Sequence, residues 1–356
     1  MKSSTIKPSA PDPLVSAGLA GLRYVKNQTT GIQRIPAKNS FRYLGVDGKT
    51  IRDKAVLERI RSLVIPPAWT DVWICPSPNG HLQAVGRDAK GRKQYRYHPD
   101  YRAVRDQTKF GRMLEFGAAL RTIRLHVGND LRKPGLPREK ILAVVVKLLE
   151  STYMRVGNDE YVRQNSSYGL TTLRNKHASV HGTHINFTFR GKSGQQQDIE
   201  LNDAKLARIV KRCRDLPGYE LFQYIGDDGN HHAIDSSDVN SYLREITGQD
   251  FTAKDFRTWG GTGLAALTLE TLGASESETA AKKNVVTAVK AVAAKLGNRP
   301  ATCRKYYVHP VILDAYMNGR LLHSLERHKG ARRAERCVLE LVKRYAAGSQ
   351  RKIRRA

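Results

Sequence analysis

Cysteine is scarce in this chain. Its four positions, Cys75, Cys213, Cys303 and Cys337, are widely separated and never form a Cys-x-x-Cys pair. That excludes a disulfide framework and a zinc knuckle, and it predicts a reducing compartment. Long apolar runs are missing too. The longest, residues 141–146, is far short of the ~20 residues a membrane helix needs. Residues 1–20 lack the apolar segment of a signal peptide, so a cytoplasmic protein with no membrane partner is expected. Acidic residues are few: 33 Asp and Glu stand against 61 Lys and Arg. No Asp/Glu cluster resembles a two-metal site, so no metal and no other cofactor is expected.

What is present in excess is positive charge, a net +28. Charge on this scale favours a polyanionic partner, because neutralising phosphates releases condensed counterions. Charge alone leaves DNA, RNA, the ribosome and a membrane surface open. The 40% apolar and 26% charged content over 356 residues is that of an ordinary globular protein with two or three domains.

Residues 1–30 mix Pro, Ser and Lys with one short apolar patch and read as a poorly ordered lead-in. Residues 31–100 read as a small β-rich domain. Segments 72–74 and 82–85 are β-prone and lie between Pro66, Pro67, Pro76, Pro78 and the turn at Asn79 and Gly80. A second turn at 88–91 leads into 94–97, which alternates aromatic and polar residues. Residues 53–63 form the one helix expected there. From 101 to 345 the pattern is mainly helical. Pro137 suits the first turn of a helix over 138–154, with Ile141, Val144, Val145, Leu148 and Leu149 at helical spacing. Val285, Val289, Val292 and Leu296 form another stripe, closed by Gly297. Both stripes read as core-facing. Residues 346–356 carry Gly348, Ser349 and four basic residues, and read as a flexible basic tail.

Between these helices lies a β island. Ile185, Phe187 and Phe189 alternate, residues 190–194 turn, and Ile199 and Leu201 resume the alternation. That predicts a hairpin with Lys192 at its tip. A lysine there can swing into a site that closes around substrate; an exposed turn lysine is the plain alternative.

Five polar residues, Arg155, Lys192, Arg257, Asn298 and Tyr307, carry the chemistry. Two arginines, a lysine and an amide can surround one phosphate, and a tyrosine can attack it. In-line attack on a phosphodiester needs fixed donors at the non-bridging oxygens and an acid for the leaving oxygen. Arginine suits the first task because its planar fork binds two oxygens and stays protonated. Lysine suits the second, since burial among cations lowers its pKa. Tyrosine forms a phosphoester that holds the broken end. Singly, each has a plainer reading: Arg155 as a cation ending a helix, Arg257 as a surface charge, Tyr306 and Tyr307 as core aromatics. Only the combination rises above these.

With those residues in view, the chain resembles the type IB DNA topoisomerases of the small poxvirus and bacterial branch. Met-Arg-Val-Gly at 154–157 resembles their first arginine motif, and Tyr-Gly-Leu-Thr-Thr-Leu-Arg-Asn-Lys-His at 168–177 the strand leading to their hairpin. Phe-Arg-Gly-Lys at 189–192 falls where they carry a hairpin lysine. Lys-Asp-Phe-Arg at 254–257 resembles the second arginine motif. Gly-Asn-Arg-Pro at 297–300 with Arg-Lys-Tyr-Tyr at 304–307 resembles the segment ending in the nucleophile, and the step from Asn298 fits Tyr307 rather than Tyr306. The likeness spans about residues 40 to 320.

The resemblance implies an α+β fold: a small β-rich N-terminal domain and a larger, mainly α-helical catalytic domain carrying a β-hairpin, together a C-shaped clamp on duplex DNA. It implies that Tyr307 attacks a phosphodiester, leaving a 3′-phosphotyrosine and a free 5′-hydroxyl. Strand rotation then relaxes positive and negative supercoils, and reversal reseals the nick without ATP or metal. Arg155 and Lys192 would assist expulsion of the 5′ oxygen, Lys192 as general acid. Arg257 and Asn298 would hold non-bridging oxygens, with Lys254 accessory, and the enzyme would be a monomer at the nucleoid. Poxvirus members carry histidine where this chain, like bacterial ones, has Asn298; an amide donates but is no general acid at neutral pH.

Residues 85–97 resemble the family's DNA-contacting segment. Gln94 and Tyr95 would reach base edges or sugars, Arg87, Lys90, Arg92 and Lys93 would meet phosphates, and Tyr97 would join them. His177, His181 and His184 lie in a strand-and-turn region where their rings would not converge on a metal. Two rival readings remain. A tyrosine recombinase normally has histidine where this chain has Lys254, and a helical rather than β-rich N-terminal region. A non-catalytic basic DNA-binding protein would not need all five residues.

Overall fold

The computed structural model describes residues 13–353 apart from 27–29, 39, 90, 92 and 227. Two compact units, Met1–Phe110 and Gly111–Ala356, divide the chain. In order, the elements are α1 (Pro13–Leu19), β1 (Ile32–Ala37), β2 (Ser40–Leu44), α2 (Lys54–Ser62), β3 (Thr70–Ile74), β4 (Leu82–Arg87), β5 (Lys93–Tyr97) and α3 (Pro99–Asp130). Then come α4 (Arg138–Thr152), α5 (Asp159–Asn165), β6 (Ala178–His181), β7 (His184–Arg190), β8 (Gln196–Asn202), α6 (Ala204–Arg214), β9 (Gln223–Ile225), β10 (His231–Ala233) and α7 (Ser236–Thr247). The last are α8 (Ala253–Leu272), α9 (Glu278–Leu296), α10 (Pro300–Tyr306), α11 (Pro310–Met317), α12 (Arg320–Glu326) and α13 (Arg333–Ile353). The result is the α+β architecture expected: a small β-sheet region followed by a larger, mainly helical part that carries a β-hairpin.

In the first unit five antiparallel strands run in the order β2-β1-β3-β4-β5. Asp53 caps α2 by accepting from the backbone N–H groups of Ala55 and Val56, which satisfies donors a helix start leaves open. The helix then buries Ile60 against Ile32, Val72, Ile74 and Ala84 of the sheet. Residues 1–12 and 27–29 of the lead-in lie outside the described residues, and the part between them differs from expectation. Residues 13–19 are helical, Arg23 bridges Gly80, and Tyr24 stacks on His81 at 4.5 Å. His81 Nδ1 also accepts from Val25 N at 3.0 Å. This anchoring comes from a residue far along the chain, and so leaves no local pattern to read.

In the second unit α4 is the central element. Its residues from Ile141 to Val146, with Leu148 and Leu149, are buried around the whole helix rather than along one stripe. Helices α7 and α8 pack on it, and α9 packs on α8. Phe116 of α3 meets Phe251, Phe256 and Trp259 edge-on, with ring centroids 5.0–6.4 Å apart. The β island is a three-stranded antiparallel sheet, β6-β7-β8, with α6 against it.

Three local expectations are corrected. Helix α4 stops at Thr152, not 154, because Tyr153 adopts a left-handed conformation (φ 58°) and caps it. Residues 168–177 form two short 3-10 turns rather than a strand. Helix α13 continues to Ile353 through most of the supposed tail. There Gly348 costs about 1 kcal/mol in helix propensity and Ser349 less, against flanking Lys, Arg, Gln and Ala that favour a helix already anchored by Leu341 and Val342. No described helix is long and apolar enough to cross a membrane.

Candidate active site

Arg155 lies just past the end of α4, on backbone held from both sides. Its carbonyl accepts from Leu170 N at 2.9 Å, and the Val156 carbonyl accepts from Thr171 Oγ1 at 3.0 Å. Gly157 takes φ +112°, and a side chain on Gly169 would sit 2.6 Å from its Cα. Only glycine fits that crossing, so this part of the motif builds the backbone that aims Arg155. The Arg155 guanidinium donates to the Gly297 carbonyl at 2.9 Å and to Asn298 Oδ1.

Arg257 lies in the second turn of α8, whose start is fixed by Asp255 accepting from Thr252 N (2.8 Å) and Thr252 Oγ1 (3.0 Å). It is only 4% exposed. One terminal nitrogen donates to the Tyr153 carbonyl, the other to the Leu296 carbonyl at 2.7 Å. The Tyr153 ring occupies the space a side chain at Gly260 would take, with a methyl there 2.1 Å from Tyr153 Cε1. Tyr307 follows α10, its N–H bonded to Cys303 O at 2.9 Å and its carbonyl accepting from Thr262 Oγ1 at 3.3 Å. Thr262 Oγ1 in turn accepts from His309 N at 3.0 Å. The Arg257 guanidinium carbon stands 5.2 Å from the Tyr307 ring centroid.

Burial pulls Arg257 below the ordinary arginine pKa. Burial, and then the nearby Arg257 charge, bring Arg155 down to about 10. Cys303, fully buried beside both, has its thiol pushed up by burial and eased back by the two arginines and Asn298. Among the described residues, Arg257 Nε and Asn298 Nδ2 are buried with no hydrogen-bond partner; the adjoining thiol is at most a weak acceptor. Leaving buried donors open costs about 1–3 kcal/mol each. An anion accepting from both would relieve that cost and neutralise two crowded cations.

Lys192 is exposed in the turn between β7 and β8 and lines a narrow cleft with Arg155 and Arg257. Lys254 is exposed one helical turn before Arg257 and is not part of that lining. The structure thus bonds Arg155 to Asn298, sets Arg257 against the Tyr307 ring, places Lys192 at the mouth of the cleft that the two arginines line, and leaves Lys254 outside.

Comparison with known proteins gives this geometry a context. A family model described as eukaryotic DNA topoisomerase I, catalytic core, matches residues 98–326, and one described as bacterial DNA topoisomerase IB, N-terminal domain, matches residues 40–88. The chain belongs to the type IB DNA topoisomerases. It is 34% identical over 300 residues to the DNA topoisomerase 1B of Acanthamoeba polyphaga mimivirus, covering 82% of this chain and 89% of that protein. It is 23% identical over 271 residues to the DNA topoisomerase 1B of Vaccinia virus (strain Copenhagen), covering 74% and 82%. As a type IB topoisomerase the chain is an isomerase whose substrate is DNA.

The N-terminal candidates of this topoisomerase lie on or beside the edge strand β5. Lys93, Tyr95 and Tyr97 share one face, with Tyr95 46% exposed and its ring stacked on Tyr97 at 6.0 Å. Tyr97 is half-buried and also stacks on Tyr101 at 5.4 Å. Arg87 donates to the Gly91 carbonyl at 2.9 Å and lies 3.5 Å from Asp71, while Gln94 bonds Asp88 at 2.9 Å. Lys90 and Arg92 lie outside the described residues. His177 is buried, its Nδ1 accepting from Arg174 N at 3.0 Å, and His181 faces His184 across the β6–β7 turn.

Sequence reasoning missed Tyr153, Leu296 and Thr262, which hold Arg257 and Tyr307. The one available signal was the pair of glycines at 260 and 261 inside a helix. Each costs about 1 kcal/mol there relative to alanine, which points to a close approach by something else.

Proposed function

We propose that Tyr307 is the nucleophile of this topoisomerase, with Arg155, Lys192, Arg257 and Asn298 stabilising and completing the transfer. The observation that carries the reading is the pair of open buried donors, Arg257 Nε and Asn298 Nδ2, in the site that holds Tyr307. A phosphodiester seated there accepts from both through its non-bridging oxygens, where charge grows in the transition state. The Tyr307 oxygen bonds to phosphorus as the bond to the 5′ oxygen breaks. The phenolic proton passes to solvent, and Lys192 protonates the departing 5′ oxygen with Arg155 beside it. The products are a 3′-phosphotyrosine and a 5′-hydroxyl. The phosphoester conserves the bond energy, so religation needs no ATP, and fixed cations already supply the charge a metal would bring. Rotation between cleavage and religation relaxes supercoils of either sign.

Lys254 serves as an outlying phosphate contact. Arg87, Lys93, Gln94 and Tyr95 contact DNA from the N-terminal unit, with Tyr97 backing Tyr95 and Lys90 and Arg92 extending the basic segment. The enzyme acts as a monomer in the compartment that holds the DNA. The test is relaxation of positively and negatively supercoiled plasmid in EDTA without ATP, comparing wild type with Tyr307→Phe. Wild type is expected to relax both, and the variant to bind plasmid without changing its linking number. Relaxation by Tyr307→Phe, or failure of wild type without metal or ATP, would overturn the reading.

A further inference from the structure

Gln197, the second residue of β8, lies opposite Phe189 and forms part of the cleft wall shared with Lys192, Arg155 and Arg257. Its side chain fills the space that two glycines leave. A methyl group on Gly191, immediately before Lys192, would sit 2.9 Å from Gln197 Cγ. One on Gly297, immediately before Asn298, would sit 3.1 Å from Gln197 Oε1 and 3.2 Å from Nε2. Gly191 has φ −89°, a conformation open to any residue, so room for Gln197 accounts for glycine there. One side chain therefore spans from the hairpin to the turn that closes α9. That same turn holds Arg155 through the Gly297 carbonyl and the Asn298 amide.

We propose that Gln197 is a positioning residue that seats the Lys192 hairpin on the Gly297 turn, setting the ammonium group beside Arg155 at the leaving oxygen. The inference rests on Lys192 being the proton donor. A displacement of about 1 Å from a reacting atom can cost 10²-fold in rate, so where the hairpin rests bears directly on Lys192. Gln197 touches no reacting atom. It restricts where the hairpin rests, so its loss slows only the part of the step that needs a proton on the 5′ oxygen. Attack by Tyr307 and support of the non-bridging oxygens are left intact.

The test is single-turnover formation of the covalent complex on two duplexes, one with the ordinary bridging 5′ oxygen and one with sulfur in its place. A 5′-thiolate leaves without protonation. Gln197→Ala is expected to slow the oxygen substrate by roughly 10- to 100-fold and to change the sulfur substrate by less than about twofold. Gly191→Ala, which pushes Gln197 off its seat, is expected to give the same split, and it carries the comparison should the first variant melt before the assay temperature. Equal slowing on both substrates, or on neither, overturns the proposal. Lys192→Ala on the same pair is the control. If it slows both equally, the proton-donor reading itself falls and takes the proposal with it.

Discussion

Arg257 donates to two backbone carbonyls, those of Tyr153 and Leu296, rather than to a carboxylate. That choice of partners matters for a residue proposed to meet phosphate. A carboxylate would fix the fork equally well but would cancel the charge the substrate needs. Lysine cannot span two carbonyls and still offer a third donor in the plane of Nε. Arg257→Lys is therefore expected to lower the cleavage rate by about 10²–10³-fold while leaving DNA binding nearly unchanged. The same substitution strands a buried carbonyl and is expected to cost about 1–3 kcal/mol of stability, read from the thermal melt. Retention of near wild-type cleavage would remove Arg257 from the transition state. The sequence named Arg155, Lys192, Arg257, Asn298 and Tyr307 because their chemistry is visible in the side chain. Tyr153 and Leu296 act through backbone carbonyls and Thr262 through a single hydroxyl, functions that almost any residue name can conceal.

The carbonyls that hold both arginines come from helix ends. Tyr153 caps α4, and Leu296 and Gly297 close α9. Helix C-termini leave carbonyls unpaired and carry partial negative charge, so two helix ends stabilise the cations without a formal anion. The end of α4 must then stay where it is. Arg124 of α3 fastens it, bonding Glu150 at 2.5 Å and Glu335 of α13 through two bonds at 2.8 and 2.6 Å. Burial works against the Glu150 charge, but Arg124 and then Lys147 hold its pKa below the ordinary value. A carboxyl depressed in the folded state contributes stability that is complete above its unfolded pKa and lost as pH falls through the folded one. Glu150→Gln is expected to destabilise by about 3 kcal/mol at neutral pH, because Arg124 loses a buried partner. It should also flatten the decline in melting temperature below about pH 4.5, where the unfolded carboxyl begins to protonate. A variant with an unchanged acid limb would show that α4 is anchored elsewhere. Helices with a strong apolar period, α4 and α9, were legible from sequence; the Arg124 network was not, since it joins residues more than two hundred positions apart.

Across the whole molecule the excess of basic residues sets how the enzyme finds its substrate before any chemistry occurs. Contacts to phosphate release counterions, so affinity must fall steeply with salt; six to ten such contacts cost roughly 10³–10⁵-fold between 50 and 200 mM. The face of β5 proposed to contact DNA carries two kinds of side chain, and salt separates their contributions. Lys93 presents a charge, its ammonium 5.8 Å from the Tyr95 ring centroid, whereas Tyr95 presents an exposed ring backed by Tyr97. Lys93→Ala is expected to weaken binding uniformly across duplex sequences and to reduce the slope of log affinity against log salt by about 1. Tyr95→Ala removes no charge, so its slope should match wild type while affinity drops and any dependence on duplex sequence changes. Fluorescence anisotropy on two unrelated duplexes over a salt series gives both numbers. Identical slopes for wild type and Lys93→Ala would place this face of β5 away from the phosphates.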